Sequence, residues 1–126
     1  MDASTRAALA RARARLELLD LYPRPVHLRG VRVIVAPWWF RVPGLRRFDG
    51  WASHLVIVLR RPLDPDGASD DLLTHELCHV WQMQHHPIAM PLSYLRGGYW
   101  TNRYEVEARA ATTQTAGLTP SSGAAS

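Results

Sequence analysis

The stretch DDLLTHELCHVWQMQHH, residues 70–86, holds two histidines four positions apart with a glutamate directly after the first. A helix is predicted to begin here, because Ser69 or Asp70 can cap it and acidic residues suit its positive N-terminal end. Pro87 disfavours helical backbone at the preceding residue, so the helix should end near His86. Apolar side chains on its other faces indicate deep burial: Leu72, Leu73, Leu77 and Val80.

Residues 75–79, HELCH, match the pattern H-E-x-x-H. Side chains four positions apart share one face of a helix, so the imidazoles of His75 and His79 can both reach a metal ion at ~2.0–2.1 Å. Glu76 is the candidate general base, able to move a proton from a metal-held water to a leaving amine. Buried histidine and glutamate cost free energy unless they are paired or metal-bound. The alternative is a polar network inside a core helix.

A metal site needs a third protein ligand, and few residues after the motif can supply one. The later histidines are His85 and His86, and His86 lies ~10 Å along the helix axis from His79, too far for the same ion. The remaining candidates are the carboxylates of Glu105 and Glu107 in the last predicted helix. Two residues apart on a helix, they point ~200° from each other, so only one can face the metal.

The rest of the chain predicts a helix, two strands and a further helix around this motif. From periodicity and turn residues we expect a helix over 3–21, strands over 26–37 and 51–60, an irregular segment or short helix over 87–100, and a last helix from Thr101 or Asn102 to Gly117. This order predicts an α+β fold, with a small antiparallel or mixed sheet packed on the N-terminal helix, the HExxH helix and the C-terminal glutamate-bearing helix. Residues 1–117 should form a single domain and 118–126 a disordered tail.

Several side chains have two interpretations at this level. Residues 54–60, HLVIVLR, suit either an edge strand that pairs with a peptide or an interior strand. Residues 38–40, WWF, suit core packing better than a substrate pocket, and His54 suits the surface better than the cleft. Arg11, Arg13 and Arg15 are expected on the solvated side of the first helix. Cys78 is expected to be a small buried hydrophobic residue.

Composition limits the partners and the compartment. The 126 residues carry a net charge of +4 and one cysteine, so an internal disulfide is excluded. No apolar run approaches the ~20 residues needed to span a bilayer, and the N-terminus does not read as a secretion signal, so we expect no membrane span and a cytoplasmic protein. Basic charge raises the chance of nucleic-acid contact, but without a clustered patch or reading motif this is a minor alternative. The oligomeric state is open.

Two stretches together resemble a known family. HELCHVWQ (75–82), followed by NRYEVEARA (102–110), resembles the gluzincin group of zinc metallopeptidases, in which a later helix gives a glutamate ligand to the HExxH site. The resemblance covers residues 26–111 and suits minimal, stand-alone members of that group. The chain is also similar to the zincin-like core domain of bacterial contractile injection systems, where HExxHxxQ is common and Gln82 matches the last position.

The resemblance implies a zinc metallopeptidase acting on a peptide or protein substrate. His75, His79 and Glu105 would hold Zn²⁺, and Glu76 would be the general base for a zinc-activated water. The family often has an aspartate four residues after the ligand glutamate to orient the first histidine of the motif, and here that position is Arg109. A catalytically weak or inactive zincin-like scaffold is therefore one alternative, and a DNA-associated zinc protease is another. A donor for the developing oxyanion is sought among Tyr94, Tyr99 and Tyr104.

Overall fold

The computed structural model describes residues 1–64 and 66–116, so the prediction of a disordered tail over 118–126 lies outside the described residues. Four α-helices and three β-strands make up the described chain: α1 (Ala3–Glu17), β1 (Arg32–Val35), β2 (Gly50–Ala52), β3 (Val56–Leu59), α2 (Asp70–His85), α3 (Ala89–Arg96) and α4 (Arg103–Thr115). This confirms a mixed α+β structure with a small mixed sheet. Among the described residues, no helix has the length and apolar character needed to cross a bilayer.

The sheet has the strand order β1-β3-β2, with β1 parallel to β3 and β2 antiparallel to it. The single strand predicted over 51–60 is wrong, because residues 53–55 form a bend that separates β2 from β3. The Ser53 N–H donates to the carbonyl of Val56 at 2.8 Å, which closes a hairpin. Residues 56–59 are therefore an interior strand, and β2 is an edge strand.

The main hydrophobic core lies between one face of the sheet and the helices. Ile57 and Leu59 of β3 pack there with Leu73 and Leu77 of α2, and all four side chains are fully buried. The segment after β1, which contains a 3-10 helix at Pro37–Arg41, covers the opposite face of the sheet with a second, aromatic cluster. As expected, residues 39 and 40 pack into this cluster, whereas Trp38 is 64% exposed.

Arg15 departs from the predicted solvated side of α1. It is buried, at 4% exposed, and its guanidinium lies 2.9 Å from the Asp71 carboxylate of α2. It also donates to the Thr115 hydroxyl at 3.1 Å and to the Thr112 carbonyl at 3.0 Å, both on α4. The helix α1 thus packs against both α2 and α4. The leucines at helical spacing in its sequence predict only a narrow buried face, which does not include Arg15.

Candidate metal centre

Side-chain contacts hold the N-terminal ends of α2 and α4, the two helices that carry the candidate metal ligands. Asp70, in the first turn of α2, pairs with Arg11 of α1 at 2.9 Å. Ser69 precedes α2 but does not cap it with its side chain; its hydroxyl accepts from the Asp64 N–H instead. At α4, the Asn102 side chain accepts from the Tyr104 N–H at 2.8 Å and caps the helix. That cap places residue 105 in the first turn, facing α2.

His75, His79 and Glu105 converge on one point. The His75 Nε2 lies 3.1 Å from the His79 Nε2 and 3.2 Å from the Glu105 Oε1. The Glu105 Oε2 lies 2.7 Å from the His79 Nε2. Within the described chain, these three residues are the one group of histidine, cysteine and carboxylate ligands placed so that it could hold a metal ion.

The donor set fits a divalent metal. Ligands at ~2.0–2.1 Å in tetrahedral geometry lie about 3.3 Å from one another, close to the 3.1 and 3.2 Å separations of His75 from His79 and Glu105. The 2.7 Å between the His79 Nε2 and the Glu105 Oε2 is a direct hydrogen-bonding distance, which would lengthen with an ion between the two atoms. Two imidazole nitrogens and one carboxylate oxygen suit zinc among the divalent ions. His79 and Glu105 are 6% and 3% exposed, so the carboxylate and its partner are largely shielded from water.

Charge complementarity holds the cluster together. Burial disfavours the charged carboxylate of Glu105, yet hydrogen bonds from His75 and His79 outweigh it and hold the pKa of Glu105 well below its usual range. Burial likewise opposes protonation of His79, but the hydrogen bond with Glu105 and the charge of Glu76 raise the pKa of His79. Glu105 thus attracts positive charge, and a divalent cation on the same atoms would take the place of the imidazolium proton.

Glu76 lies beside the cluster with its carboxylate packed against β2. It is 5% exposed, and burial raises the pKa of Glu76 more than the neighbouring histidines lower it. A Cβ atom on Gly50 would lie 2.8 Å from the Glu76 Oε2, so only a glycine admits the carboxylate in this position. The sequence does not indicate this role of Gly50, because the role depends on the hairpin that brings β2 against α2.

Glu107, the rival third ligand, faces away from the imidazole cluster. Its Oε1 accepts hydrogen bonds from the Gln82 Nε2, at 3.0 Å, and from the Tyr22 hydroxyl. Gln82 in turn lies 2.8 Å from the His79 Nδ1 through its Oε1. In the sequence Gln82 appears only as a motif match, although its position three residues after His79 on one helix face is a signal for this contact.

Arg109 occupies the position at which the gluzincin resemblance implies an orienting aspartate, and it makes no hydrogen bond to His75 or His79. It donates to the Trp100 carbonyl, and its guanidinium lies 5.3 Å from the centroid of the Trp100 ring. His54 is exposed in the bend between β2 and β3, outside the site, as expected. Cys78 is fully buried, as expected, and burial raises the pKa of its thiol.

The three tyrosines differ in how close they lie to the cluster of His75, His79 and Glu105. The Tyr94 hydroxyl donates to the Glu105 Oε2 at 2.6 Å, so it touches the cluster directly. Tyr99 packs its ring on Phe48 at the rim, with 4.7 Å between the ring centroids. Tyr104 is buried, and its ring lies 6.0 Å from that of His86 at the end of α2, measured between centroids. Its backbone carbonyl accepts from Gln82.

A cavity of about 340 Å³ opens beside the cluster. Glu76, His79 and Glu105 line its floor, and Tyr94 lines a wall. The remaining walls are mainly apolar and include Leu45, Phe48, Trp51, Met83, Met90 and Pro91. The cavity therefore places an apolar surface next to His79 and Glu105, two of the three possible metal ligands, and next to Glu76.

Comparisons with protein-family models, with curated proteins and with solved structures found no match. The resemblance to gluzincins therefore remains an interpretation of two short motifs. What the structure itself defines is a mixed α+β chain with a buried His–His–Glu group that could hold a metal ion.

Proposed function

We propose that the chain is a zinc-dependent metallopeptidase, with His75, His79 and Glu105 as the metal ligands and Glu76 as the general base. One observation carries this proposal: the three ligand groups converge within hydrogen-bonding distance, and the carboxylate of Glu76 lines the same cavity. Ligands from two helices and a base on one of them match the division of roles that the H-E-x-x-H pattern predicts.

When bound, a zinc ion supplies Lewis-acid chemistry, polarising a carbonyl group and lowering the pKa of water. Glu76 takes the proton of the attacking water and delivers it to the leaving amine. The raised pKa of Glu76 suits both steps, because a base whose pKa lies nearer to the working pH can accept and then release a proton. Gly50 supports this role by leaving space for the carboxylate.

Tyr94 is the proposed donor to the oxyanion that forms on the scissile carbonyl. Its hydroxyl already lies 2.6 Å from the Glu105 carboxylate and lines the cavity. Burial, together with the hydrogen bond to Glu105, raises the pKa of Tyr94, so the hydroxyl stays protonated and able to donate. Such a donor strengthens as charge develops on the substrate oxygen.

The substrate would be a peptide with an apolar side chain next to the scissile bond. The apolar walls of the cavity would take this side chain, and the free edge of β2 would pair with the peptide backbone. In an antiparallel pair, successive residues of an edge strand point their backbone N–H and C=O groups alternately towards the neighbouring strand and away from it. The backbone groups of Trp51 face β3, so those of Gly50 and Ala52 point to the open side of β2.

A metal-stabilised scaffold without peptidase activity is the second candidate. One observation favours it: Glu76 is only 5% exposed and packs closely against Gly50, which restricts access to the carboxylate. In this case zinc would join α2 to α4, and the cavity would bind a partner without cleaving it.

The decisive variant is Glu76→Gln, which keeps the side-chain shape but removes the base. Zinc content of the purified protein, measured together with cleavage of a mixed peptide library by mass spectrometry, separates the two candidates. The metallopeptidase proposal expects one zinc per chain in both proteins, cleavage by the wild type, and a loss of at least about 10²-fold in rate for the variant. Glu17→Gln, an exposed glutamate on α1, is the matched control. Full activity in Glu76→Gln would refute the proposed base.

A further inference from the structure

We propose that Gln82 and Glu107 act as positioning residues that keep a proton on the Nδ1 of His79 and so direct its Nε2 lone pair to the metal. This inference rests on the proposed metal centre and concerns how one ligand is prepared for it. Gln82 is fully buried, and Glu107 was the glutamate left without a role once Glu105 occupied the cluster.

The side-chain amide of Gln82 can adopt only one orientation. Its Nε2 donates to the Tyr104 carbonyl at 2.9 Å and to the Glu107 Oε1 at 3.0 Å. Neither partner can donate a hydrogen bond, since one is a backbone carbonyl and the other a carboxylate. A flipped amide would place its oxygen against two oxygens, and full burial leaves it no solvent partner.

The fixed amide determines the tautomer of His79. The Gln82 Oε1 lies 2.8 Å from the His79 Nδ1, and an amide oxygen can only accept. The Nδ1 must therefore carry a proton, which leaves the Nε2 as the nitrogen that binds a metal when the ring is neutral. That Nε2 is the atom facing His75 and Glu105.

The outer end of the network is anchored on other elements. The Tyr22 hydroxyl donates to the same Oε1 of Glu107 that accepts from Gln82. The Tyr22 ring stacks on His85, with 4.9 Å between ring centroids, and lies edge-on to Trp81. The network thus runs from the segment after α1 through α4 to α2.

The tautomer is measured directly by long-range ¹H–¹⁵N correlation spectra of ¹⁵N-labelled protein, with and without one equivalent of zinc. We expect a proton on the His79 Nδ1 in both forms, and in the zinc form a slowly exchanging imidazole N–H. A neutral His79 protonated on Nε2 would overturn the proposal. If the wild type binds no zinc, the proposed function fails, whereas the spectrum of the metal-free protein, recorded at a pH where His79 is neutral, still tests the tautomer.

Variants supply the second measurement, which is zinc affinity by competition with a chromophoric chelator. Gln82→Met fills the same space but accepts only weakly, and we expect it to lower the affinity ~10–100-fold, as loss of an outer hydrogen bond to a ligand histidine does. Gln84→Met is the matched control, because Gln84 bonds only to the backbone of His27. Equal zinc affinity of Gln82→Met and wild type would contradict the proposal.

Exchanging the two side chains distinguishes positioning from mere packing. Gln82→Glu alone puts two carboxylates side by side and should weaken both folding and zinc binding. The double variant Gln82→Glu/Glu107→Gln restores one acceptor towards His79 and one donor between the pair, but it leaves the Tyr104 carbonyl facing a carboxylate oxygen. It should therefore regain part of the zinc affinity and of the Nδ1 proton signal that Gln82→Glu loses. A folded double variant whose zinc affinity is no better than that of Gln82→Glu would count against the network.

Discussion

Gly50 lies where β2 passes the carboxylate of Glu76, and its missing side chain decides whether that carboxylate fits. In Gly50→Ala the new Cβ would meet the Glu76 Oε2 at 2.8 Å and its Cδ at 2.9 Å, so the carboxylate must move. We expect the variant to retain zinc, to lose most peptidase activity and to be destabilised by about 1–3 kcal/mol. Zinc analysis, peptide cleavage and urea unfolding measure the three effects.

Gly97→Ala is the control for this prediction, because a Cβ at Gly97 meets nothing within 4 Å. It should leave zinc content and peptide cleavage unchanged. Wild-type cleavage rates in Gly50→Ala would show that Glu76 has room to move without loss of function, and the assignment of Glu76 as a precisely held base would then be wrong.

The candidate ligands show what a sequence can and cannot settle at the scale of single residues. The spacing of His75 and His79 on one helix was enough to predict their convergence, and that convergence is observed. The spacing of Glu105 and Glu107 predicted only that they face different ways. Which of them meets the histidines depends on how α4 packs against α2, and only the motif resemblance favoured Glu105.

Among the elements, the hairpin of β2 and β3 had the weakest sequence signal. The apolar run through residues 51–60 has no glycine or proline to mark a turn, so it read as one strand. In the structure the turn forms through Ser53, whose hydroxyl accepts from the Val56 N–H at 3.3 Å. The consequence is functional, since the hairpin creates the edge strand that borders the cavity.

Arg15 joins three helices and gives a prediction at this scale. Its guanidinium bonds to Asp71 of α2 and to Thr112 and Thr115 of α4, so Arg15→Met removes several contacts while keeping the bulk of the side chain. We expect the free energy of unfolding to fall by about 1.5–3 kcal/mol, the range for hydrogen bonds to a charged group. Urea unfolding at constant zinc concentration measures the change.

The control is Arg13→Met, two residues away on the same helix. Arg13 pairs only with Glu17, and both side chains are about half exposed. Its replacement should change stability by less than about 0.5 kcal/mol, as is usual for exposed sites. Equal effects of the two variants would mean that the buried guanidinium does not hold the helices together.

At the scale of the whole molecule, the cluster should couple metal binding to stability. Glu105 has a lowered pKa, so its contribution is present above its ordinary value of 4.5 and is lost as the pH falls. His79 has a raised pKa, so its contribution is present below 6.5 and is lost as the pH rises through the folded value. In chelator-treated protein, Glu105 and His79 should therefore add most to the free energy of unfolding between pH 4.5 and pH 6.5.

Zinc should prevent the loss of stability that metal-free protein shows as the pH rises above 6.5, because zinc binds the neutral imidazole of His79 in place of the proton. At zinc about 1,000-fold above its dissociation constant, the added stability should be about 4 kcal/mol. Urea unfolding at about pH 5.5 and about pH 8, with and without chelator, tests both statements. A chelated protein as stable at the higher pH as the zinc-loaded one would contradict the coupling.

The order of elements and the α+β class followed from periodicity, caps and prolines, which act locally. The buried side of α1, the hairpin and the third ligand did not, because each depends on contacts between segments far apart in sequence: Arg15 with Thr115, Gly50 with Glu76, and Glu105 with His79. The candidate site was therefore half predictable. Its part on α2 follows from one helix, whereas its parts from β2 and α4 are set by tertiary packing.

The most direct test of the metal centre is a crystal structure of the zinc-loaded protein with diffraction recorded on both sides of the zinc absorption edge. We expect one anomalous peak within ~2.3 Å of the His75 Nε2, the His79 Nε2 and a Glu105 carboxylate oxygen. An ion held by Glu107, or a zinc-saturated crystal with no peak between the two imidazoles, would contradict the account.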